Sequence, residues 1–463
     1  HLTNLILYGV MIVLLFLFIY RFTSLPTSVI TTLLFAWHPL RTEVVAWISS
    51  RTEIMVLLFG LASLLVLQKK RLCHRAIFAL CLALALLSKE SAILFPFLAL
   101  IVIPEFTLKN RWFYAISTIN LGSWFWLRRF SVGTAHWFPS ALERSLRPAA
   151  ALKSLVHYSK AHVWPVNLST EPWFDFPKNW GEAGVVLGGV LLAVLIFLVI
   201  KFIRKDPPER LIASGAIWYL LCLTPFMHIL PLPERAADRY ANMASVGFIL
   251  MIAGVLELLR RKPRIPRFCF NTTIIVLAIV SLIFAWTSFH LSPYWMSDQD
   301  IEYRAAMAGQ SPQALLFLGK HSEMKGDMEG AYHAYLSALE REEKGSPVTL
   351  FSLAMASVET KRIDEAVKYL ELCVEKDQNH GSAGMILGEL YMQTGQYRKA
   401  LRTMADQARR HPANPIPHLV TGQIYMDFLN QPAKAKAAFR EALRRNPQGV
   451  QLEYIKDRMR KLQ

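Results

Sequence analysis

Three short polar clusters break the apolar runs of this chain, and their residue types suit proton and phosphate chemistry. The first is His38-Pro-Leu-Arg41-Thr-Glu43, followed by Arg51-Thr-Glu53. A carboxylate beside a histidine and apolar walls can take a proton from a hydroxyl. The second is Ser88-Lys89-Glu90-Ser91, whose lysine is a point charge suited to a phosphate. The third is Glu234-Arg235-Ala-Ala-Asp238-Arg239-Tyr240. Its two arginines stand four apart, so on a helix they would share one face and form a phosphate clamp. Ionisable groups at membrane depth are functional candidates by default. The plainer alternative for each cluster is an ion pair in a solvated loop or a tight polar turn.

The elements that must position these clusters are apolar segments, roughly 4–20, 26–38, 54–68, 75–88, 91–104, 112–127, 183–203, 211–228, 240–259 and 269–288. Several fall short of the ~20 residues of a full span, which a tilted helix within a bundle tolerates. With 463 residues, 53% of them hydrophobic, and a mean hydropathy of +0.30, the chain reads as a polytopic membrane protein with a soluble appendage. The formal net charge is +17. The basic residues gather in alternate loops, around Lys69–Arg75, Lys109–Arg111, Lys201–Arg210 and Arg260–Arg267. That pattern places those loops in the cytoplasm and the three polar clusters on the outer side. No basic helix with interleaved aromatics stands out, so nucleic acid is not an expected partner. The five cysteines form no CxxC pair, which argues against a disulfide framework or a zinc site. The chain opens on His1 within an apolar run and shows no signal peptide.

Residues 128–180 form the longest outer loop. Within it Leu152–Trp164 reads as an amphipathic helix at the membrane interface, with Trp137, Trp164, Trp173 and Trp180 at headgroup level. Asn167-Leu-Ser169 would accept a glycan only in a eukaryotic lumen. From residue 312 the character changes. Gly319, Ala354, Gly388 and Gly422 recur every 34 or 35 residues. Ala331, Ala366 and Ala400 follow twelve residues later, with Ala435 displaced by one. Tyr335, Leu370, Met404 and Phe439 come next, then Ala338, Cys373, Ala408 and Ala442. Small residues where two helices touch and large ones between them are the tetratricopeptide pattern. Residues 450–463 read as a capping helix. The expected fold is all-α: a membrane helix bundle over 1–290, a linker over 291–311, and a solenoid of four repeats over 312–463. With ten spans, the repeats fall on the same outer side as the polar clusters.

The segments HPLRTEVVAWISSRTE, LLSKES and ERAADRYANMASVGF, with WPVNLS in the long loop and the repeats behind them, resemble the transmembrane and tetratricopeptide-repeat O-mannosyltransferases and their bacterial relatives. In that family the matching stretches read roughly HPxHTEAVAxIxGR, LSKE and AERxLYxPSxG. Two departures stand out: Arg41 replaces a second histidine, and Ala241-Asn242 replaces Leu-Tyr.

The resemblance implies a GT-C type membrane glycosyltransferase, in the bacterial inner membrane or the endoplasmic reticulum, with the repeats in the periplasm or lumen. Its donor would be a polyprenyl-phosphate sugar, with mannose the leading candidate. A carboxylate would take the proton of a protein Ser or Thr hydroxyl as that hydroxyl attacks with inversion, and basic residues would hold the departing lipid phosphate. On this reading Glu43 and Glu53 line the acceptor side, and Lys89, Arg235 and Arg239 hold the phosphate. His38 orients one of these groups, and Arg41, Glu90 and Asp238 complete the substrate-binding set. The repeats would present the acceptor protein or peptide. The family's principal acidic residues lie after its first span, whereas HLTNL looks like the start of the second. The strongest base is therefore expected upstream of His1, the more so because an arginine near each of Glu43 and Glu53 would weaken it as a base. The resemblance leaves a divalent metal open and assigns no residue to one; the single DxD, Asp298-Gln-Asp300, reads as a helix N-cap region. The rival classes are a non-catalytic membrane scaffold working through its repeats and, last, a transporter.

Overall fold

The computed structural model describes residues 1–67, 69, 71–132, 142–166, 168–169, 172–229, 235–262, 266–309, 311–342, 345–445, 447 and 449–462. The described residues are helical or irregular and contain no strand. They divide into two compact units, 1–309 and 310–463.

In the first unit every apolar segment of the sequence becomes a helix. The elements are α1 (Leu2–Tyr20), α2 (Leu25–Ala36), α3 (Arg41–Ala46), α4 (Arg51–Val66), α5 (Leu72–Ser88), α6 (Leu94–Val102), the single turn α7 (Pro104–Thr107), α8 (Arg111–Val132), α9 (Arg147–Val163), α10 (Ala183–Phe202), α11 (Glu209–Leu223), α12 (Asn242–Arg261), α13 (Arg267–Leu291) and α14 (Asp298–Arg304). Among the described residues, five stretches are long and apolar enough to cross a membrane: Leu2–Tyr20, Ile48–Val66, Ala183–Phe202, Asp238–Arg261 and Arg267–Trp295. The other five segments are shorter or more polar. With 12 residues, α2 rises only about 18 Å against a hydrocarbon thickness of ~30 Å. It stops there because the residue before Pro39 is pushed out of the helical region.

The core runs through α1, α4, α5, α6, α11 and α12, with Met11, Leu15, Phe18, Leu57, Leu61, Phe95, Trp218 and Leu250 buried. The tightest crossing is α11 against α12. A Cβ on Gly247 would sit 2.5 Å from the Tyr219 nitrogen, and one on Gly215 would sit 2.6 Å from the Gly247 carbonyl. Glycine at both positions lets the two backbones touch. The outermost helices are different: of the most apolar 18-residue stretch of Arg267–Trp295 only 6% is buried, and Ile275, Ile279, Leu282, Trp286 and Phe289 point outward.

The second unit stacks α15 (Pro312–Met324) with α16 (Met328–Arg341), α17 (Pro347–Glu359) with α18 (Ile363–Lys376), α19 (Gly381–Gln393) with α20 (Tyr397–Arg410), and α21 (Ile416–Gln423) with α22 (Pro432–Arg444), then ends on α23 (Val450–Arg460). Tyr335, Met404 and Phe439 fill the space over Gly319, Gly388 and Gly422. Between the two helices of each pair the chain turns through a left-handed residue: Gly326 at φ 80°, Lys361 at 63°, Gly395 at 77° and Asn430 at 48°. The next N–H closes the turn in each case, Asp327 to Ser322, Arg362 to Ser357, Gln396 to Tyr391 and Gln431 to Tyr425. The last bond spans one residue more than the others. The cause is a π-helical turn at Ile424–Phe428, which absorbs one residue and accounts for the displacement of Ala435, itself fully buried. Ala408 is only half-buried, and Gln407 beside it takes the interior position. Ile455 of α23 seals Phe439 and Ala442 as a cap.

Candidate functional site

The first cluster does not fold as one continuous helix. The α3 helix ends at Ala46, Trp47 is extended (φ −81°, ψ 120°), and a 3-10 turn covers Ile48–Ser50. Buried Asn4 of α1 fixes this loop, donating to the carbonyls of Val45 and Trp47 and accepting from Arg51 Nε at 2.9 Å. The third cluster is also not one helix. Ala237 is extended, and only Asp238–Ala241 form a 3-10 turn. Arg235 and Arg239 therefore do not share a helix face, which removes the geometry expected of the clamp. Glu234 lies outside the described residues.

Each arginine has its own setting. Arg239 donates from Nη1 to Glu43 Oε1 at 2.8 Å and from its backbone N–H to Oε2 at 3.0 Å, and its guanidinium lies over the Trp47 ring at 4.9 Å. Arg235 sits over Trp173 and Phe176, at 4.6 and 4.7 Å, while its carbonyl accepts from His228 Nε2 at 2.6 Å. Arg41 turns away from Glu43. It is buried, donates to Asn242 Oδ1 and to Ser245 Oγ, and covers Phe35 at 4.8 Å. Burial draws its guanidinium down to about 10.

His38 accepts from the Leu40 N–H at 3.2 Å through Nδ1, so Nε2 carries the proton it donates to the His162 carbonyl at 3.0 Å. With both nitrogens used on backbone, it is a neutral clamp between α2 and α9, and it orients none of the groups expected of it. Lys89 pairs with Glu53. Glu90 is 59% exposed on its side chain and stands 3.9 Å from Arg128. Asp238 is buried and accepts from the Ser169 N–H at 2.8 Å.

These residues border two openings. Glu43 and Asp238 line one cleft, with Leu168, Tyr294, Trp295 and Arg304 as further walls. Its volume is about 30 Å³, room for about one water, so it admits a hydroxyl or a water rather than a sugar ring. Burial pushes the Glu43 carboxyl up to about 8, with Arg239 opposing the rise and Asp238 adding to it. Arg41, the arginine near Glu43 in sequence, turns away; Arg239 takes its place and lowers the carboxyl as a cation must, but desolvation outweighs it and leaves the carboxyl raised. The second opening is a groove of about 220 Å³, lined by Leu87, Lys89, Glu90, Trp124, Leu127 and Arg128 among others.

Several contributors were not singled out from sequence. Tyr294, Trp295, Ile301 and Arg304 come from the segment read as a linker, which packs within the first unit. Arg304 donates to the Leu168 carbonyl at 3.3 Å and covers Tyr294 at 5.5 Å. The α9 helix begins at Arg147, and its stripe of Ala151, Leu155, Tyr158 and His162 lies in the core rather than on an interfacial surface. Trp173 is covered by Arg235, Trp164 and Trp180 are exposed, and Trp137 and Asn167 lie outside the described residues. The DxD occupies the first turn of α14, where Ser297 is the cap and accepts from the Asp300 N–H. Among the described residues no group of three or more His, Cys, Asp or Glu could hold a metal, so no residue is assigned to one.

Tetratricopeptide-repeat family models match residues 357–424 and 421–448, so the second unit carries such repeats. No curated protein matches the sequence. Among solved structures, MamA from Desulfovibrio magneticus RS-1 is 18% identical over 36% of this chain and 90% of its own, with a TM-score of 0.29. YrrB, described as a TPR protein with an unusual peptide-binding site, is 17% identical over 41% and 89%, at 0.29. The Cut9–Hcn1 tetramer of the APC/C gives 13% over 89% and 90%, at 0.31. At these scores the repeat assignment rests on the family models and the helix geometry.

Proposed function

We propose that residues 1–309 form a membrane-embedded glycosyltransferase of GT-C type. It moves a sugar, with mannose the first candidate, from a polyprenyl phosphodiester to a protein Ser or Thr hydroxyl. The observation that carries this reading is a buried carboxyl in one opening and an ammonium in another, both within the first unit. A narrow cleft holds a buried carboxyl titrating near neutrality, Glu43, and a wider groove holds the ammonium of Lys89 between exposed leucines. Glu43 takes the proton of an acceptor hydroxyl that reaches into the cleft. Lys89 stabilises the negative charge that grows on the departing lipid phosphate, in a setting where water screens little. Arg239 fixes Glu43, Arg41 anchors α3 to α12, and Arg235 orders the aromatic loop at Trp173. The outward apolar faces of α10 and α13 support a lipid surround, since few soluble surfaces carry apolar patches of that size. The repeats bind the acceptor protein or a partner.

A second reading is favoured by a different observation. Lys89 and Arg239 are each already paired with a carboxylate, as in an outer layer that only holds helices together. On that reading the protein is a membrane scaffold acting through its repeats. The experiment is transfer of labelled mannose from a polyprenyl phosphodiester to a Ser/Thr-rich peptide by the chain in nanodiscs, with Glu43→Gln beside it. Transfer lost in the variant supports the enzyme. No transfer by the native protein, with retained binding of a partner by the repeats, supports the scaffold.

A further inference from the structure

We infer that Glu53 is a positioning residue for Lys89: it holds the ammonium at the edge of the groove and competes there with the anion that the groove takes, a phosphodiester headgroup. The inference rests on the donor reading above and changes the part given to Glu53, which moves from the acceptor side to the lipid side.

Three observations carry it. First, the pair is asymmetric in exposure. The Lys89 side chain is 19% exposed and borders the groove, whereas the Glu53 side chain is 6% exposed and does not line it. An anion in the groove therefore meets the Lys89 ammonium before the Glu53 carboxylate behind it, and the one carboxylate on the wall itself, Glu90, stands beside Arg128 at 3.9 Å. Second, Lys89 is placed by backbone as well as by charge. It is extended (φ −160°, ψ 144°) at the break between α5 and the following 3-10 turn, with its ammonium 5.7 Å from the Phe226 ring centre. Glu53 sits in the first turn of α4, and the Glu53 carbonyl accepts from the side-chain amide of buried Asn242 at 3.2 Å. The two backbones are therefore held in place independently of the pair. Third, the groove is otherwise built for an amphiphile. Leu87 and Leu127 are exposed along it, and Arg128, 5.3 Å over Trp124 and 3.9 Å from Glu90, places a second cation at its rim.

An ammonium has three donors and can bond a carboxylate and a phosphate at once, but each then receives less of it. A carboxylate that occupies Lys89 in the empty protein thus opposes anion binding, and its removal strengthens binding. That sign separates competition from scaffolding: a residue that only supports the fold weakens binding when lost. The arrangement keeps a half-buried cation paired while the groove holds no anion, and yields it when one arrives.

The test uses the full chain in nanodiscs and two probes of the same charge, farnesyl methyl phosphodiester and dimethyl phosphate, with empty nanodiscs correcting for partition. Affinity is measured for the native protein, Glu53→Gln, Lys89→Gln and the double variant. The farnesyl probe is expected to bind the native protein at least a hundredfold more tightly than dimethyl phosphate, Glu53→Gln to bind it at least tenfold more tightly than native, and Lys89→Gln more weakly. In the Lys89→Gln background the Glu53 change is expected to have less than a twofold effect. Equal affinity of native and Glu53→Gln overturns the competition and leaves the donor reading standing. Tightening that persists without Lys89 also overturns it, since a long-range charge effect then suffices. Absence of binding by every variant overturns the donor reading and the competition together, and equal affinity for the two probes overturns the lipid source. Should Glu53→Gln fail to fold, Glu53→Asp, whose carboxylate retreats by one methylene, is expected to tighten binding by a smaller factor, and unchanged binding there overturns the inference.

Discussion

If Glu43 is the base, the rate of transfer must follow its ionisation, and the structure gives the direction of every shift. Glu43→Gln keeps the volume and an oxygen for the Arg239 N–H but removes the proton-accepting charge. Loss of a positioned base lowers the rate by ~10²–10⁴-fold. The sign of the pH dependence follows from the raised carboxyl. Burial holds it at about 8, so the active, ionised form grows as pH rises through 8, and the rate climbs tenfold per pH unit below that point. Asp238 adds to the rise in Glu43 and Arg239 opposes it. Asp238→Asn should therefore move the limb to lower pH, and Arg239→Gln should move it higher. The Arg239 shift is the larger of the two, because a cation in contact at ~4 Å is worth about 4 kcal/mol, about three pH units, at an effective dielectric of ~20. The assay is single-turnover transfer between pH 6 and 9.5, with donor saturating. A flat profile, or a limb that moves up in Asp238→Asn, refutes the role of Glu43. The same shift bears on stability. A folded pKa above the unfolded value favours the folded state most below about pH 4.5 and loses that advantage as pH rises through about 8. Glu43→Gln should accordingly flatten the dependence of thermal stability on pH over that window.

Further consequences concern the fold and the arginines. Lys361 occupies the left-handed turn that glycine takes in two equivalent repeats. Lys361→Gly should stabilise the repeats by ~0.5–1 kcal/mol, since relief of ~1–2 kcal/mol of left-handed strain exceeds the chain entropy that glycine adds. Thermal unfolding of the chain followed by circular dichroism would read this, and a lower midpoint would contradict it. Gly247→Ala drives a methyl into the α11 backbone and should destabilise the first unit by ~1–3 kcal/mol, read as a lower aggregation temperature in detergent. Arg239→Gln should reduce transfer far more than Arg235→Gln, because Arg239 donates to Glu43 whereas Arg235 lies over Trp173 and Phe176; equal losses would restore the clamp.

The helices were legible because their signals are local. Apolar runs, the proline after His38 and the 34-residue register each act within a few turns of chain. Even the displaced Ala435 was visible as an irregularity, although its cause, the π turn at Ile424–Phe428, was not. The site was legible as a set of residues and not as a set of partners. Arg41 and Glu43 are neighbours in sequence, yet their side chains diverge to Asn242 and Arg239, some two hundred residues away. A four-residue spacing suggested a clamp at Arg235 and Arg239 only on the premise of a helix, and the extended Ala237 removes that premise. Arg304 and Tyr294 carried no motif, since a wall of a cleft is recruited by packing and no spacing rule announces it.

The two departures from the motifs that the chain resembles, Arg41 and Asn242, touch each other. The Arg41 guanidinium donates to the Asn242 side-chain oxygen and to Ser245 Oγ, and Asn242 is fully buried. A histidine at 41 is smaller and reaches less far, and a tyrosine at 242 is larger and offers a hydroxyl in place of an amide. The substitutions thus exchange volume and hydrogen-bonding capacity across one contact between α3 and α12. Arg41→His alone should leave the Asn242 oxygen without its cationic donor, at a cost of ~1–3 kcal/mol. Asn242→Tyr alone should overpack the same space by a similar amount. Together they should lose less than the sum, with a coupling of ~1–3 kcal/mol, because the smaller residue makes room for the larger. Thermal midpoints of the four proteins in one detergent measure the coupling. Strictly additive losses would mean that Arg41 is held by Ser245 and burial alone.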